Sequence, residues 1–273
     1  MSTMQLPVLT LDRGAMQELG ERHADAFRSA EPFRHVVVDD FLPREVLRAL
    51  VDTYPGPDDV AWHRYDAVTQ VKLACEDEAV LPPVHRQVLR ELNGQAFLTF
   101  LEALTGTEGL LPDPWFRGGG LHQIRPGGLL KVHADFNMHP RLHVERRLNA
   151  LLYLNEDWQE AYGGALELWD REATHAVRKV YPLANRLVVF ATDDDSNHGH
   201  PDPLACPPDR SRRSMAWYYY TAPRGRRAPR AHTTLFRGVP EQPGSLPARV
   251  RTVATRLART VADRVGGGSS SPS

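Results

Sequence analysis

The pattern of hydrophobic and polar positions changes character near Pro112. Before it the apolar residues recur at helical spacing. Residues 12–30 place Met16, Leu19, Ala24 and Phe27 on one face among charged neighbours, which predicts an amphipathic helix. Phe33 to Val38 is an aromatic and β-branched run and predicts a strand. Pro43 opens a helix through Leu50. Residues 84–104 put Val88, Leu92, Ala96, Phe100 and Leu104 on one stripe, a single long helix that Gly106 ends. After Pro112, short apolar segments alternate with Gly, Pro, Asn and Asp clusters. They span 120–125, 129–133, 148–154, 165–169, 176–180, 186–191 and 214–221. This spacing predicts a β-sandwich or barrel, with the helices packed on one face of a sheet. The expected class is therefore mainly β with flanking helices.

The last fifty residues read differently again. Residues 223–246 are rich in Pro, Gly and Arg and read as irregular. Residues 247–265 align Val250, Val253, Ala254, Leu257, Val261 and Val265 on one helical stripe with Arg elsewhere, and 266–273 read as a flexible end. Ten Arg stand against Glu241 and Asp263 from 223 onward, in a chain of net charge −1, so the first 222 residues are acidic. The commonest cause of such a stripe is a helix packed on its own domain. The sharper reading is a docking element for an acidic partner or a membrane-surface helix, and the narrow Val and Ala stripe favours association with another copy or with the acidic first part of the chain over membrane insertion. The whole molecule carries no charge bias toward nucleic acid or membrane. No segment is long and apolar enough to span a bilayer, and the N-terminus lacks the pattern of a signal peptide. Cys75 and Cys206 are the two cysteines, too few for a disulfide scaffold, and they read as reduced thiols in a cytoplasmic protein.

Chemistry concentrates in the second half. In the strand-like stretch around Lys131 to Phe136, His133 and Asp135 are two apart and face one side together. A second imidazole follows the strand 186–191 and the turn 192–197, at His198, with His200 two residues on. Two histidines and one carboxylate occupy one face of an octahedral ion and leave positions open, the arrangement of non-haem iron(II) oxygenases. On the last strand Arg212, Ser214 and Tyr218 share a face. A guanidinium pointing into a barrel needs an anionic partner, and a dicarboxylate cosubstrate would supply it.

From about Gly120 to Thr221 the sequence resembles the 2-oxoglutarate/iron(II) dioxygenase superfamily, in particular its prolyl 4-hydroxylase-like branch. Arg125-Pro126-Gly127-Gly128 followed by His133-x-Asp135 is similar to the family's Pro-Gly and His-x-Asp opening. Leu151 to Trp158, Gly163 to Leu166, and Arg186 to Phe190 with the spacing to His198 match further segments in the same order. The resemblance implies a double-stranded β-helix, the jelly-roll or cupin-like core, over about 115–222. It sits in a domain 31–222, between a helical lead-in 1–30 and an extension 223–273. By position it implies that His133, Asp135 and His198 bind iron, and it favours His198 over His200. Arg212 would hold the distal carboxylate of 2-oxoglutarate, with Ser214 beside it and Tyr153 adding a phenol. Two departures stand out: Arg125 where the family often has Tyr, and an insert at 201–209 that makes Arg210 a rival of Arg212. The shared parity of Arg212 with Ser214 and Tyr218 favours Arg212.

The implied activity is hydroxylation of an unactivated C–H with consumption of 2-oxoglutarate and O₂, release of succinate and CO₂, and ascorbate as an optional reductant. The substrate classes left open are a prolyl residue, a free amino acid and a natural-product intermediate. Desaturation, epoxidation or demethylation at the same site are alternatives, as is a non-catalytic binding module. Other polar residues read more plainly. His139 and His143 fall in an expected loop, facing solvent or the substrate mouth. His122, Gln123, Arg125 and Lys131 read as structural or substrate-lining, Asp193 to Asp195 as a solvated turn, and Trp158, Trp169 and Trp217 as core. Because the chemistry lies before Pro223, deletion of 246–273 should leave iron binding and substrate-free succinate formation nearly unchanged. Turnover and light-scattering mass of the truncated and full chains check this; loss of basal turnover in a folded truncation contradicts it.

Overall fold

The computed structural model describes residues 7–223 and 230–238, so the expected helix 247–265 and the expected flexible end 266–273 lie outside the described residues. In chain order the elements are α1 (Arg13–Ser29), β1 (His35–Val38), α2 (Arg44–Asp52), β2 (His63–Ala67), β3 (Gln70–Cys75), α3 (Pro83–Leu92), α4 (Gln95–Thr105), β4 (Leu111–Pro112), β5 (Gly120–Ile124), β6 (Leu129–Ala134), β7 (Glu145–Tyr153), β8 (Leu166–Trp169), β9 (Ala176–Val180), β10 (Arg186–Ala191), β11 (His198–His200), β12 (Arg212–Thr221) and β13 (Leu235–Phe236).

Local chemistry sets the helix ends. Asp12 Oδ1 accepts the Ala15 amide at 2.8 Å and caps α1. Pro43 and Pro82 stand immediately before α2 and α3. Gly106, at φ 68°, ends α4 in the left-handed conformation. The long helix expected over 84–104 is instead two. Asn93 and Gly94 turn back, their amides bonding the Arg90 and Glu91 carbonyls at 3.1 and 2.9 Å, and Gly94 is extended. The break rotates the second half so that Phe97, not Ala96, joins Phe100 and Leu104 in the core.

The strands form one antiparallel sheet in the order β1-β10-β7-β12-β5-β3-β6-β11-β8-β9, with β2 and β13 on the flanks of β3 and β6 and β4 beside β12. It curls on itself as a jelly roll. Tyr153, Val188 and Phe190 come from one end of that order and Leu166, Leu168 and Val180 from the other, yet they pack in one cluster. The opposite face of β7, β10 and β12 supplies Leu148, Ala150, Leu152, Leu187, Val189, Met215, Trp217 and Tyr219 to a larger core with the four helices. Both faces of these strands are covered, which is why they read as nearly unbroken apolar runs. Two side chains fasten the layers: Trp217 Nε1 donates to Leu89 O at 3.0 Å and Tyr219 Oη to Leu92 O at 2.7 Å.

Three pieces of the sheet were not apparent in the sequence pattern. The hairpin β2–β3 joins the sheet through β5 and β6. The short β11 carries His198 and His200. Leu235 and Phe236, within the stretch that reads as irregular, pair with Ala134 and His133. A backbone carbonyl of β6 finds a partner there, since Arg237 N donates to Val132 O at 2.8 Å.

The β3–β5 approach depends on Gly120. Its φ is 75°, and a Cβ there would lie 2.1 Å from the Cys75 carbonyl oxygen. Replacing it with Ala strains the backbone and pushes two paired strands apart. Gly120→Ala should lower stability by more than about 2 kcal/mol, read as a shifted urea midpoint. An unchanged midpoint would show that the two strands are not held this closely.

Candidate active site

The strand pairing that closes the small end of the roll brings the three sequence-predicted metal residues together. His133 on β6 and His198 on β11 are direct antiparallel partners, with ring centroids 4.4 Å apart. Asp135 follows one residue beyond β6. Its Oδ1 is 3.5 Å from His133 Nε2 and its Oδ2 is 3.5 Å from His198 Nε2. One ligand atom from each of the three lies within 4.8 Å of the others. Both imidazoles are oriented from behind: His133 Nδ1 meets Lys131 O at 2.8 Å and His198 Nδ1 meets Ser196 O at 2.9 Å. With Nδ1 donating to a carbonyl, Nε2 keeps its lone pair for a metal. Burial, with the neighbouring His133, lowers the His198 pKa to about 4, so this ring is neutral at physiological pH.

Asp135 is held as the anion. Burial alone would protonate it, but Arg146, His198 and His133 keep its carboxyl well below the usual carboxylate range. Arg146 Nη2 sits 2.9 Å from Oδ2, and Asn149 Nδ2 donates to the same oxygen at 2.8 Å. Oδ1 is thereby left as the oxygen free to bind an ion. Arg146 is itself fixed: its Nε and Nη2 donate to Asn149 Oδ1 at 2.9 and 2.6 Å, and its guanidinium lies 3.4 Å from the centre of the Tyr218 ring. Two imidazoles and one ionised carboxylate fit a divalent iron ion.

Arg212 lies deeper in the roll. It is 5% exposed, and Nε donates to Gly164 O at 2.7 Å while Nη2 donates to Tyr153 Oη at 3.1 Å. Among the described residues no carboxylate pairs with it. A buried guanidinium without a counter-charge is costly, so this side chain calls for an external anion. Ser214 and His122 are direct cross-strand partners, so both share the inward face of Arg212. The rival Arg210 is directed elsewhere, with Nη1 donating to Glu156 O at 3.0 Å.

His200 does not join the metal cluster. It pairs with Leu130 across a register shift in β6, and both ring nitrogens are buried without a protein partner. Its pKa falls well below the usual value through burial and the nearby Arg212 and Lys72 charges. His139 departs from expectation: it is 1% exposed, not facing solvent or a mouth, with Nε2 3.3 Å from Asp113 Oδ1 and its ring against Tyr220. His143 is exposed, and Asp193 to Asp195 form a turn near the surface. Gln123 donates to Ser211 Oγ and Lys131 to Pro201 O, both structural contacts, and Arg125 is exposed. Trp158 and Trp217 are buried and Trp169 partly so. Cys75 and Cys206 are both free and buried.

Two residues at the site went unrecognised in the sequence. Asn149 shares the parity of Tyr153 on β7, and an amide in so apolar a run was the available signal. Arg146 sits where a register shift between Tyr219 and Tyr220 disturbs the simple alternation, so parity could not have placed it.

Comparison with known proteins agrees with this geometry. Residues 119–220 match the model of the family described as the 2OG-Fe(II) oxygenase superfamily. Similar solved structures include a prolyl-4-hydroxylase of Pseudomonas putida, at 22% identity and TM-score 0.54, covering 74% of this chain and 98% of that one. A prolyl hydroxylase of Trichoplax adhaerens, solved with a hypoxia inducible factor oxygen degradation domain peptide fragment, shows 16% identity and TM-score 0.55 over 76% and 91% of the two chains. HygX of Streptomyces hygroscopicus, solved with nickel and 2-oxoglutarate bound, shows 10% identity and TM-score 0.50 over 73% and 86%. A search of curated protein sequences found no match. Among the described residues no helix is long and apolar enough to cross a membrane. The matched segment contains the His-Asp-His cluster and the arginine that has no carboxylate partner, so the similarity to the 2OG-Fe(II) oxygenase superfamily covers the candidate site itself.

Proposed function

We propose that this oxygenase uses 2-oxoglutarate and O₂ to hydroxylate an unactivated C–H of a prolyl residue, amino acid or natural-product substrate, releasing succinate and CO₂. The observation that carries the reading is the pairing of a three-ligand metal cluster with a buried arginine that has no carboxylate of its own. Iron(II) with bound 2-oxoglutarate supplies the oxidising chemistry. The protein supplies the rest. His133, Asp135 and His198 hold the metal, and the carbonyls of Lys131 and Ser196 aim the two imidazoles. Asn149 and Arg146 orient the carboxylate so that one oxygen faces inward. Arg212 and Tyr153 receive the distal carboxylate of the cosubstrate, with Ser214 beside them. Burial raises the Tyr153 pKa against the opposing charge of Arg212, so its phenol stays protonated and can donate.

Succinate formation in the presence of iron and 2-oxoglutarate, assayed alone and with candidate substrates, tests the reading. His133→Ala, Asp135→Ala and His198→Ala should each reduce it at least 100-fold and weaken iron binding, with circular dichroism unchanged. His200→Ala should retain iron; full activity in His198→Ala with loss in His200→Ala would reassign the third ligand. Asn149→Ala should keep all three ligands but weaken iron affinity about 10- to 100-fold, measured by competition with a chelator. Arg212→Ala should raise the 2-oxoglutarate KM by tenfold or more, the loss of a charge-assisted contact of roughly 2 kcal/mol. Arg212→Lys should restore part of it. The same effect from Arg210→Ala, and none from Arg212→Ala, would place the cosubstrate seat elsewhere.

A further inference from the structure

Lys72 has no role in the arrangement described so far. It lies on β3, and the register pairs Ala74 with His122 and His122 with Ser214. Side chains two apart on a strand share a face, so Lys72 points into the roll with Ala74, His122 and Ser214. Its ammonium stands 5.2 Å from the centre of the Tyr65 ring. It is close enough to the metal site to feel Asp135, Arg212 and Arg146, and burial lowers its pKa to about 8, so it remains mostly charged at neutral pH. Among the described residues no carboxylate or carbonyl bonds it. The nearby Glu76 is engaged elsewhere, accepting the Gly118 amide at 2.8 Å and facing Arg117 Nη1 at 3.5 Å.

A second cation beside Asp135 has spare donor capacity. Arg146 is 3% exposed, yet only two of its three nitrogens are used, and Nη1 is buried without a partner. The site is therefore over-supplied with positive charge. Iron(II), Arg146, Arg212 and Lys72 bring five positive charges, and Asp135 with a 2-oxoglutarate dianion returns three negative ones. The remaining two lie within a largely water-excluded roll, where unpaired charge is expensive. Protonation of a carboxyl cannot correct an excess of this sign. Loss of the Lys72 proton would lower it by one, and a carboxylate entering with the substrate lowers it by one while keeping the ammonium charged.

We infer that the substrate is a small molecule bearing a carboxylate, and that Lys72 and the free edge of Arg146 receive that carboxylate beside the metal ligands. The inference rests on the oxygenase reading above and narrows its substrate class. A free amino acid or an acidic intermediate fits; a prolyl residue inside a peptide, flanked by neutral amides, offers nothing to these two cations.

The test is a calorimetric titration of the full chain loaded with nickel(II) and saturating 2-oxoglutarate, with acetate as probe and acetamide as its neutral counterpart. Acetate should bind at one site per chain with Kd below about 10 mM, and acetamide at least tenfold more weakly. Lys72→Met and Lys72→Gln should each weaken acetate at least tenfold, and Lys72→Arg should stay within about threefold. Absence of saturable acetate binding, equal binding of acetamide, or unchanged binding in a folded Lys72→Met or Lys72→Gln would overturn the inference. If neither neutral variant folds, the acetate and acetamide comparison on the unaltered chain decides. Failure of the oxygenase reading would instead appear as absent succinate formation, a measurement this titration does not use.

Discussion

The charge on Asp135 is what the site is built around. A carboxylate at this depth would take up a proton if burial acted alone, and a neutral acid is a poor ligand for a divalent ion. Arg146 at 2.9 Å and the Asn149 amide at 2.8 Å oppose that protonation, with the two imidazole nitrogens 3.5 Å away. The same contacts orient it. Because the donors from β7 converge on Oδ2, the carboxylate cannot rotate freely, and Oδ1 faces His133. Arg146 is in turn sandwiched between Phe136 and Tyr218, so the cation that fixes the carboxylate is fixed by aromatic packing.

Those contacts exist because the sheet curls until strands far apart in its order meet. His133 and His198 become neighbours only when β6 and β11 pair, and Asn149 reaches Asp135 only when β7 lies across from them. The curl is stabilised by the apolar cluster of Tyr153, Val188, Phe190, Leu166, Leu168 and Val180, while the helices cover the reverse face. Tyr153 belongs to both systems. Its ring is core, and its hydroxyl meets Arg212. Gly164 contributes its carbonyl to Arg212 Nε, and a Cβ there would come 3.1 Å from Arg212 Cδ, so the arginine occupies space that only a glycine leaves open.

Much of this was legible in the sequence where strand alternation acts undisturbed. His133 with Asp135, and Arg212 with Ser214 and Tyr218, are spaced by two, and the period of a strand carries each set to one face. His198 could be chosen over His200 only through resemblance, because spacing by two gives both the same face; the β6 register shift is what separates their surroundings. Arg146 was hidden for the same physical reason, lying beside a register shift where β7 carries an extra residue opposite β12. Lys72 was missed because the hairpin 63–75 mixes polar and apolar residues and its clearest alternation, Val71 and Leu73, is too short to identify a strand. The division of 84–104 turned on Asn93-Gly94, a turn signal that the continuous apolar stripe outweighed. The pairing of Leu235 and Phe236 with β6 depends on tertiary contact alone.

The central claim is that one site joins iron, 2-oxoglutarate and O₂ through His133, Asp135, His198 and Arg212. Oxidative decarboxylation of 2-oxoglutarate by O₂ places one atom of the gas in succinate. Turnover of the iron-loaded full chain under ¹⁸O₂, followed by mass spectrometry of the succinate, tests this most directly. The account predicts succinate heavier by one ¹⁸O atom, formed only with iron present and lost in Asp135→Ala. Unlabelled succinate, or labelled succinate that persists in Asp135→Ala, would contradict it.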